Sequence, residues 1–479
     1  MKHMSLVAYG LLCAIVAAVA LASPENPSKT YITHVTLVDT ETGAEASNRT
    51  IVIAGERIAD VLPDGGSRIP DTAHIVDASG KFLIPGLWDM HVHGTDDDST
   101  LALYIANGVT GVREMFGPAD ANAFRAQLKQ KNVLAPHIYL ASPIVDGHPK
   151  VWPDSVEVTT PDEARRFVDQ QKRNGADFIK VYSRLGRNEY FAILDEARKQ
   201  NISVQGHVPN AVSAWEAAAA GQKSFEHLTG VQLACSTRQD ELLQAFLNSK
   251  SARERNALSL AAYQSFSQEK CGQLFALMKR DRVWAVPTLV VDRAFAHLSD
   301  PEYRMDTRLR YFHGEFLDWL AAKDDFRVAD FTAQDYQVEA ELLGEKSKIV
   351  RGMSQTGVPL LAGTDAGNPF CFPGFSLHDE LVLLVESGLT PLAALQAATR
   401  NAATFMNASN RYGSIAKGKI ADLVLLDADP LRDIRNTTKI SGVFLGGRQF
   451  DRQSLDLILK TAEQGGKITK LSHVDIAAH

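Results

Sequence analysis

The segment Asp89-Met90-His91-Val92-His93 places two histidines two residues apart at the end of an apolar run, Phe82-Leu83-Ile84-Pro85-Gly86-Leu87-Trp88. In a β-strand, residues i and i+2 share a face, so both imidazoles project the same way from the strand's C-terminal end. Such a pair can hold one face of a divalent metal ion such as zinc, which takes histidine nitrogen at about 2.0–2.1 Å. The plain alternative is two surface histidines, and the choice turns on whether further donors join them.

Further donors do end other apolar runs. Lys180 closes Ala176-Asp177-Phe178-Ile179-Lys180, His207 closes Ser203–His207, His227 closes Ser224–His227, and Asp365 closes Leu361–Asp365. Singly, each has an ordinary account. A strand-end histidine can be structural, an aspartate can cap the next helix, and a lysine can snorkel to solvent. In a closed barrel, however, C-terminal strand ends converge on one axis. Four histidines, an aspartate and a lysine would then surround one point.

The elements that must position them follow from the pattern. Eight short apolar runs alternate with helical patterns: Leu87–His93, Val109–Met115, His137–Ala141, Phe178–Tyr182, Ser203–His207, Ser224–His227, Trp284–Leu289 and Leu360–Thr364. Alternation means parallel strands, and eight is the count of an α/β (β/α)₈ TIM barrel, here over 84–405. A doubly wound sheet would want a glycine-rich phosphate loop after its first strand; that strand ends His91-Val92-His93-Gly94-Thr95-Asp96. Short strands at both ends, 23–83 and 406–464, read as one small composite β-sandwich domain, followed by a tail at 465–479. From His227 to Asp365 the chain advances 138 positions, where two βα units need about 70. The excess falls in helical insertions at 231–280 and 292–350, on the face where barrel active sites sit. They form either a wall or lid over the site or an outer decoration.

The 479 residues carry a formal net charge of −7, with 45% hydrophobic and 22% charged residues. The sign disfavours nucleic acid and anionic membrane surfaces as partners. Residues 1–22 read as a secretory signal: Lys2 and His3, an uncharged run Leu6–Ala20, and an Ala20-Leu21-Ala22 cleavage site. The mature protein is then periplasmic or secreted, with no stable membrane insertion. Export allows a Cys235–Cys271 disulfide, leaving Cys371 as the odd thiol.

Taken jointly, these motifs resemble the amidohydrolase superfamily of metal-dependent hydrolases, in its imidazolonepropionase-like and prolidase-like branch. Pro85 to His93 is similar to its P-G-hydrophobic-D-x-H-x-H opening. Asn107 to Arg113 resembles its second strand, with Glu114 where the family has aspartate. Gly175–Lys180 resembles the strand of a carboxylated lysine, Leu361–Ala366 the eighth strand, and Gly418–Val424 the return to the β domain. The resemblance implies two divalent metal ions, zinc foremost, although manganese, iron and cobalt suit such donors too. His91, His93 and Asp365 would hold one, His207 and His227 the other, with carboxylated Lys180 as bridge. A hydroxide shared by both ions would attack a polarised carbonyl, with Asp365 as catalytic base and then acid. The serine-nucleophile alternative lacks a G-x-S-x-G.

For substrate contact the candidates are His148, in an Asp146-Gly147-His148 stretch resembling the branch's G-G-H loop; Tyr182, on the face of Lys180; His378; and Arg113. His148, Tyr182 and Arg113 each have an ordinary alternative: a surface loop histidine, a barrel-layer aromatic, and an arginine paired with a structural carboxylate such as Glu114. The expected activity is hydrolysis of an amide in a small molecule, a dipeptide or N-acyl amino acid, by a homo-oligomer. Alternatives are a lactone, ester or cyclic amide at the same site, or a non-catalytic exported binding protein. The last predicts missing ligands, and none is missing from the sequence.

Overall fold

The strand Leu87–Val92 is buried at all six positions, which is why it reads as a continuous apolar run rather than an alternating one. In the computed structural model, which describes residues 29–466 apart from 67 and 324, this strand begins a closed parallel barrel. It pairs with Val109–Glu114, which pairs with His137–Leu140. Ala141 bridges Phe178. From there Phe178–Val181, Ser203–Gly206, Ser224–Glu226 and Trp284–Val286 pair in sequence, all parallel. The eighth run makes only single bridges, Leu360 to Ala285 and Ala366 to Val92. With the Met90 N–H donating to the Ala362 carbonyl, they are enough to shut the ring. The sequence-based (β/α)₈ expectation is thus the observed architecture.

Helices of the outer ring form where local signals coincide. Pro161–Arg173 starts with a capping box between Thr160 and Glu163, with proline in its first turn. It turns Ala164, Phe167 and Val168 inward, the i, i+3, i+4 face expected of a helix on a barrel.

Both chain ends build one mixed sheet. Its order is Arg448–Asp451, Ile440–Leu445, Leu423–Leu426, Phe82–Pro85, Thr30–Val38, Glu45–Ala54, Arg57–Pro63, with His74–Asp77 beside Thr30–Val38. Ile32, Val35, Ile51, Leu83, Leu423 and Phe444 share its core. Phe82–Pro85 lies antiparallel to Leu423–Leu426 and runs directly into the first barrel strand. Between them, a Cβ at Gly86 would come within 2.1 Å of Thr110 Oγ1, so only glycine fits this crossing. The sheet therefore anchors the strand that carries His91 and His93.

The segment 231–280 folds into four helices, Val231–Ala234, Gln239–Leu247, Ala252–Gln264 and Gln268–Asp281, joined by a Cys235–Cys271 disulfide. Cys371 is free and buried. The second insertion contributes Leu289–His297, Pro301–Arg304, Gly314–Leu320 and the long Ala333–Thr356. Among the described residues no helix is long and apolar enough to cross a membrane. The leader at 1–22 and most of the 465–479 tail lie outside the described residues. The disulfide closes a loop of 36 residues. Replacing both cysteines by serine should lower unfolding free energy by about 2–4 kcal/mol, read as a shift in denaturant midpoint that added reductant reproduces in the parent protein.

Candidate metal centre

Strand one is locked to the eighth run from within. The buried Asp89 carboxylate accepts hydrogen bonds from His91 N at 3.2 Å, Thr364 N at 3.0 Å and Thr364 Oγ1 at 2.6 Å. Burial pushes its pKa up to about 7 against these donors. Three non-glycine residues of the site hold left-handed backbone: His227 at φ 55°, Thr288 at 51° and Asp365 at 60°. Such conformations cost on the order of 1–3 kcal/mol each and persist where surrounding structure enforces them.

The strand ends do converge. His91 Nε2 lies 3.3 Å and His93 Nε2 2.9 Å from Asp365 Oδ1, and His227 Nε2 lies 3.9 Å from Oδ2. The His91, His93 and Asp365 donor atoms all sit within 4.8 Å of one another. The His227 ring is 4.7 Å from that of His91 and 4.9 Å from that of His207. Lys180 is sealed in beside them, with Nζ 5.8 Å from the Tyr182 ring, and Tyr182 stacks on His207 at 4.0 Å. His93, Lys180, Tyr182, His207, His227 and Asp365 all line one open cavity of about 590 Å³.

The hydrogen bonds behind the rings set which nitrogen is bare. Thr288 Oγ1 donates to the Pro287 carbonyl, so at 2.7 Å it accepts from His227 Nδ1. His91 Nδ1 lies 2.8 Å from the acceptor-only carboxylate of Glu226. Both rings therefore carry their proton on Nδ1 and leave the Nε2 lone pair for a ligand. His91 Nε2 is a buried polar atom with no hydrogen-bond partner, which is costly unless something binds there. Burial pushes the pKa of His91, His207 and His227 well below the usual histidine value, keeping them neutral as ligation requires. Burial would raise Asp365, but His91, His93 and Lys180 outweigh it and hold the carboxyl well below its ordinary range. Burial brings Lys180 down to about 8. Burial would lower His93, but Asp365 and Glu114 outweigh it and raise its pKa to about 9, so a cation that binds here displaces the His93 proton. With three neutral imidazoles, a fourth that gives up its proton and an ionised carboxylate, the donor set fits a divalent cation.

Two carboxylates support this set: Glu226, which the sequence reading passed over, and Glu114, which it named only as a replacement for aspartate and a partner for Arg113. Glu226 joins His91 to Arg113, its Oε2 taking the Arg113 Nη2 at 2.7 Å while Oε1 accepts from Ser224 Oγ at 2.5 Å. Glu114 accepts from Thr95 N and Phe116 N and lies 3.5 Å from His93 Nδ1. A carboxylate inside an apolar barrel strand, with an equally misplaced Arg113 elsewhere, was the signal available in the sequence.

Three candidate substrate contacts, Arg113, His378 and His148, do not line this cavity. Arg113 is fully buried beneath the site, its donors committed to the Met90 carbonyl, Gln205, Ser224 and Glu226. His378 sits inside helix Ser376–Glu386, bonded to Thr437 Oγ1 and the Asn107 carbonyl, each at 3.0 Å. His148 has a 72% exposed side chain paired with Glu157 at 3.1 Å. Its neighbour Asp146 turns inward instead, accepting from Gly147, Val151 and Arg184 backbone N–H groups, and this folds the loop so that Trp152 rather than His148 reaches the cavity. Tyr182 does line the cavity, its hydroxyl accepting from Trp152 Nε1 at 2.9 Å. Trp319 and Arg327 of the second insertion complete the wall, so that part of the insertion is a wall and not a decoration.

A donor cluster at the C-terminal mouth of a (β/α)₈ barrel, with a β-sheet drawn from both chain ends, defines a class of barrel hydrolases that work with divalent metal ions. Residues 82–450 match the amidohydrolase family, and the chain belongs to it; it is a hydrolase of carbon–nitrogen bonds. Ochratoxinase of Aspergillus niger is 24% identical, over 89% of this chain and 87% of its own length. Among solved structures, a bottromycin amidohydrolase superposes with a TM-score of 0.74 at 24% identity, covering 92% of this chain and 91% of that one. A Xaa-Pro dipeptidase with bound methionine superposes with a TM-score of 0.64 at 21% identity, over 88% and 100%.

Glu226→Gln keeps shape but weakens the acceptor that fixes His91. Metal affinity, measured by competition with a chelator, should fall about 10–100-fold; an unchanged affinity would refute the orienting role.

Proposed function

We propose that the protein is an exported, binuclear metal-dependent amidohydrolase that cleaves an amide bond in a small substrate, a dipeptide or N-acyl amino acid. The observation that carries this reading is the convergence of His91, His93, Lys180, His207, His227 and Asp365 at one mouth, with bare Nε2 atoms facing a buried carboxylate. In this reading His91, His93 and Asp365 hold one ion and His207 and His227 the second. Lys180, carboxylated on its side-chain nitrogen, would be the ligand shared by both; a plain ammonium has no acceptor to offer. Zinc is the first choice for this donor set. Bound there, the ions supply a Lewis acid for the carbonyl oxygen and bring the pKa of water from 15.7 toward about 7.

The chain's own groups do the rest. Asp365, ionised at neutral pH, accepts a proton from the attacking water and returns it to the departing amine nitrogen. Tyr182 already accepts a hydrogen bond from Trp152, so its own proton is left to give. Burial pushes its pKa up to about 12, which keeps that proton in place to meet the carbonyl oxygen as charge develops. Ochratoxinase, a Xaa-Pro dipeptidase and a bottromycin amidohydrolase as relatives favour an amide. The leader pattern at 1–22 and the Cys235–Cys271 disulfide favour an oxidising, exported compartment.

Lys180→Ala should lower metal content from two ions per chain toward one, with at least about 100-fold loss of kcat; two retained ions and full activity would remove Lys180 from the site. A panel of Xaa-Pro and Xaa-Arg dipeptides and N-acyl amino acids against lactones tests the bond. Turnover of an amide is the expected result, and lactone turnover with silence on every amide would overturn the assignment.

A further inference from the structure

One wall of the cavity carries side chains that proton transfer and metal binding leave unused. Trp152, Trp319 and Arg327 stand there beside Phe116 and Ile144. Trp152 meets Trp319 edge to face, with ring centroids 6.3 Å apart, and meets Phe326 at 5.6 Å. Phe326 is 59% exposed. A phenyl ring left in water against an indole that itself lines the cavity is apolar surface that a ligand can cover.

Arg327 does not make this wall a free cationic site. The buried Asp325 carboxylate takes its Nε and Nη2, and Asn368 Oδ1 takes Nη1 at 2.8 Å. Its guanidinium lies 4.8–5.5 Å from the Phe295, Trp319 and Trp152 rings, so it braces the aromatics with its charge already matched. The wall is also tied to the loop after Asp365. Trp319 Nε1 donates to the Gly367 carbonyl at 2.6 Å, and Asn368, held by Arg327, donates from its amide to the Asp365 carbonyl at 3.0 Å. Whatever seats on the rings is thereby registered against the reacting centre.

We propose that this wall selects substrates carrying an uncharged planar aromatic group next to the scissile amide, an aroyl amide in preference to an aliphatic or anionic acyl amide. The inference rests on the amide-hydrolase reading above. Aromatic faces stack on rings beyond what burial of equal apolar area supplies, whereas a second carboxylate would find the guanidinium of this wall already paired.

The test compares kcat/KM of the metal-loaded full chain on N-benzoyl, N-cyclohexanecarbonyl and N-succinyl derivatives of one amino acid. Benzoyl should exceed cyclohexanecarbonyl by about tenfold, and succinyl should be poorest. Phe326→Ala, at an exposed position, and Trp319→Leu should each shrink the benzoyl preference at least about threefold. Equal rates for the two ring systems, a succinyl optimum, or a preference untouched in both variants overturns the proposal. If no amide is turned over, the amide reading itself fails, and the wall is then read by calorimetric binding of the same two ring compounds. Tighter benzoyl binding that weakens in Phe326→Ala supports the wall; equal binding overturns it.

Discussion

The barrel depends on an ion pair with no access to water. Arg113 and Glu226 are both fully buried in the barrel interior and joined at 2.7 Å, and breaking such a pair by removing one partner costs about 3–5 kcal/mol. Arg113 also binds the Met90 carbonyl, Gln205 and Ser224, so one guanidinium links the first, second, fifth and sixth barrel strands. Glu226 in turn holds His91 Nδ1. The group that makes the interior electrically tolerable is therefore the group that aims the first metal donor, and stability and function share one set of hydrogen bonds.

A second constraint acts at the mouth. His227, Thr288 and Asp365 adopt left-handed backbone, and each is pinned by its surroundings: His227 to Thr288, Thr288 to Pro287, and the residues after Asp365 to the second insertion. The insertion thus does more than cover the site. It fixes the loop that presents the carboxylate, while its rings form the far wall of the cavity. Reading substrate and holding the reacting group become properties of one packed unit.

Much of this was legible from residue order. The His91-x-His93 pair, Lys180, His207, His227 and Asp365 end apolar runs whose alternation with helical patterns requires a barrel, and the structure draws them to one mouth. The candidates that fall away from the cavity share a cause. Arg113 and His378 are chemically able groups, and His148 sits in a loop that resembles a family motif. Their partners lie far away in sequence: Glu226 is 113 positions from Arg113 and Asn107 is 271 from His378. His148 points away because Asp146, two residues before it, takes the inward position. Trp319 and Arg327 left no trace, because a helical insertion has the same periodicity whether it faces solvent or a cavity.

The sequence by itself determined the strand count, the donor types and the chain ends that meet in one sheet, because these follow from periodicities of two and 3.6 residues and from side-chain chemistry. Only the tertiary structure decided which donors keep a bare nitrogen, which carboxylates stand behind them, and which wall the substrate meets. Those properties arise from contacts between residues tens to hundreds of positions apart, and burial, not local order, sets their protonation and their partners.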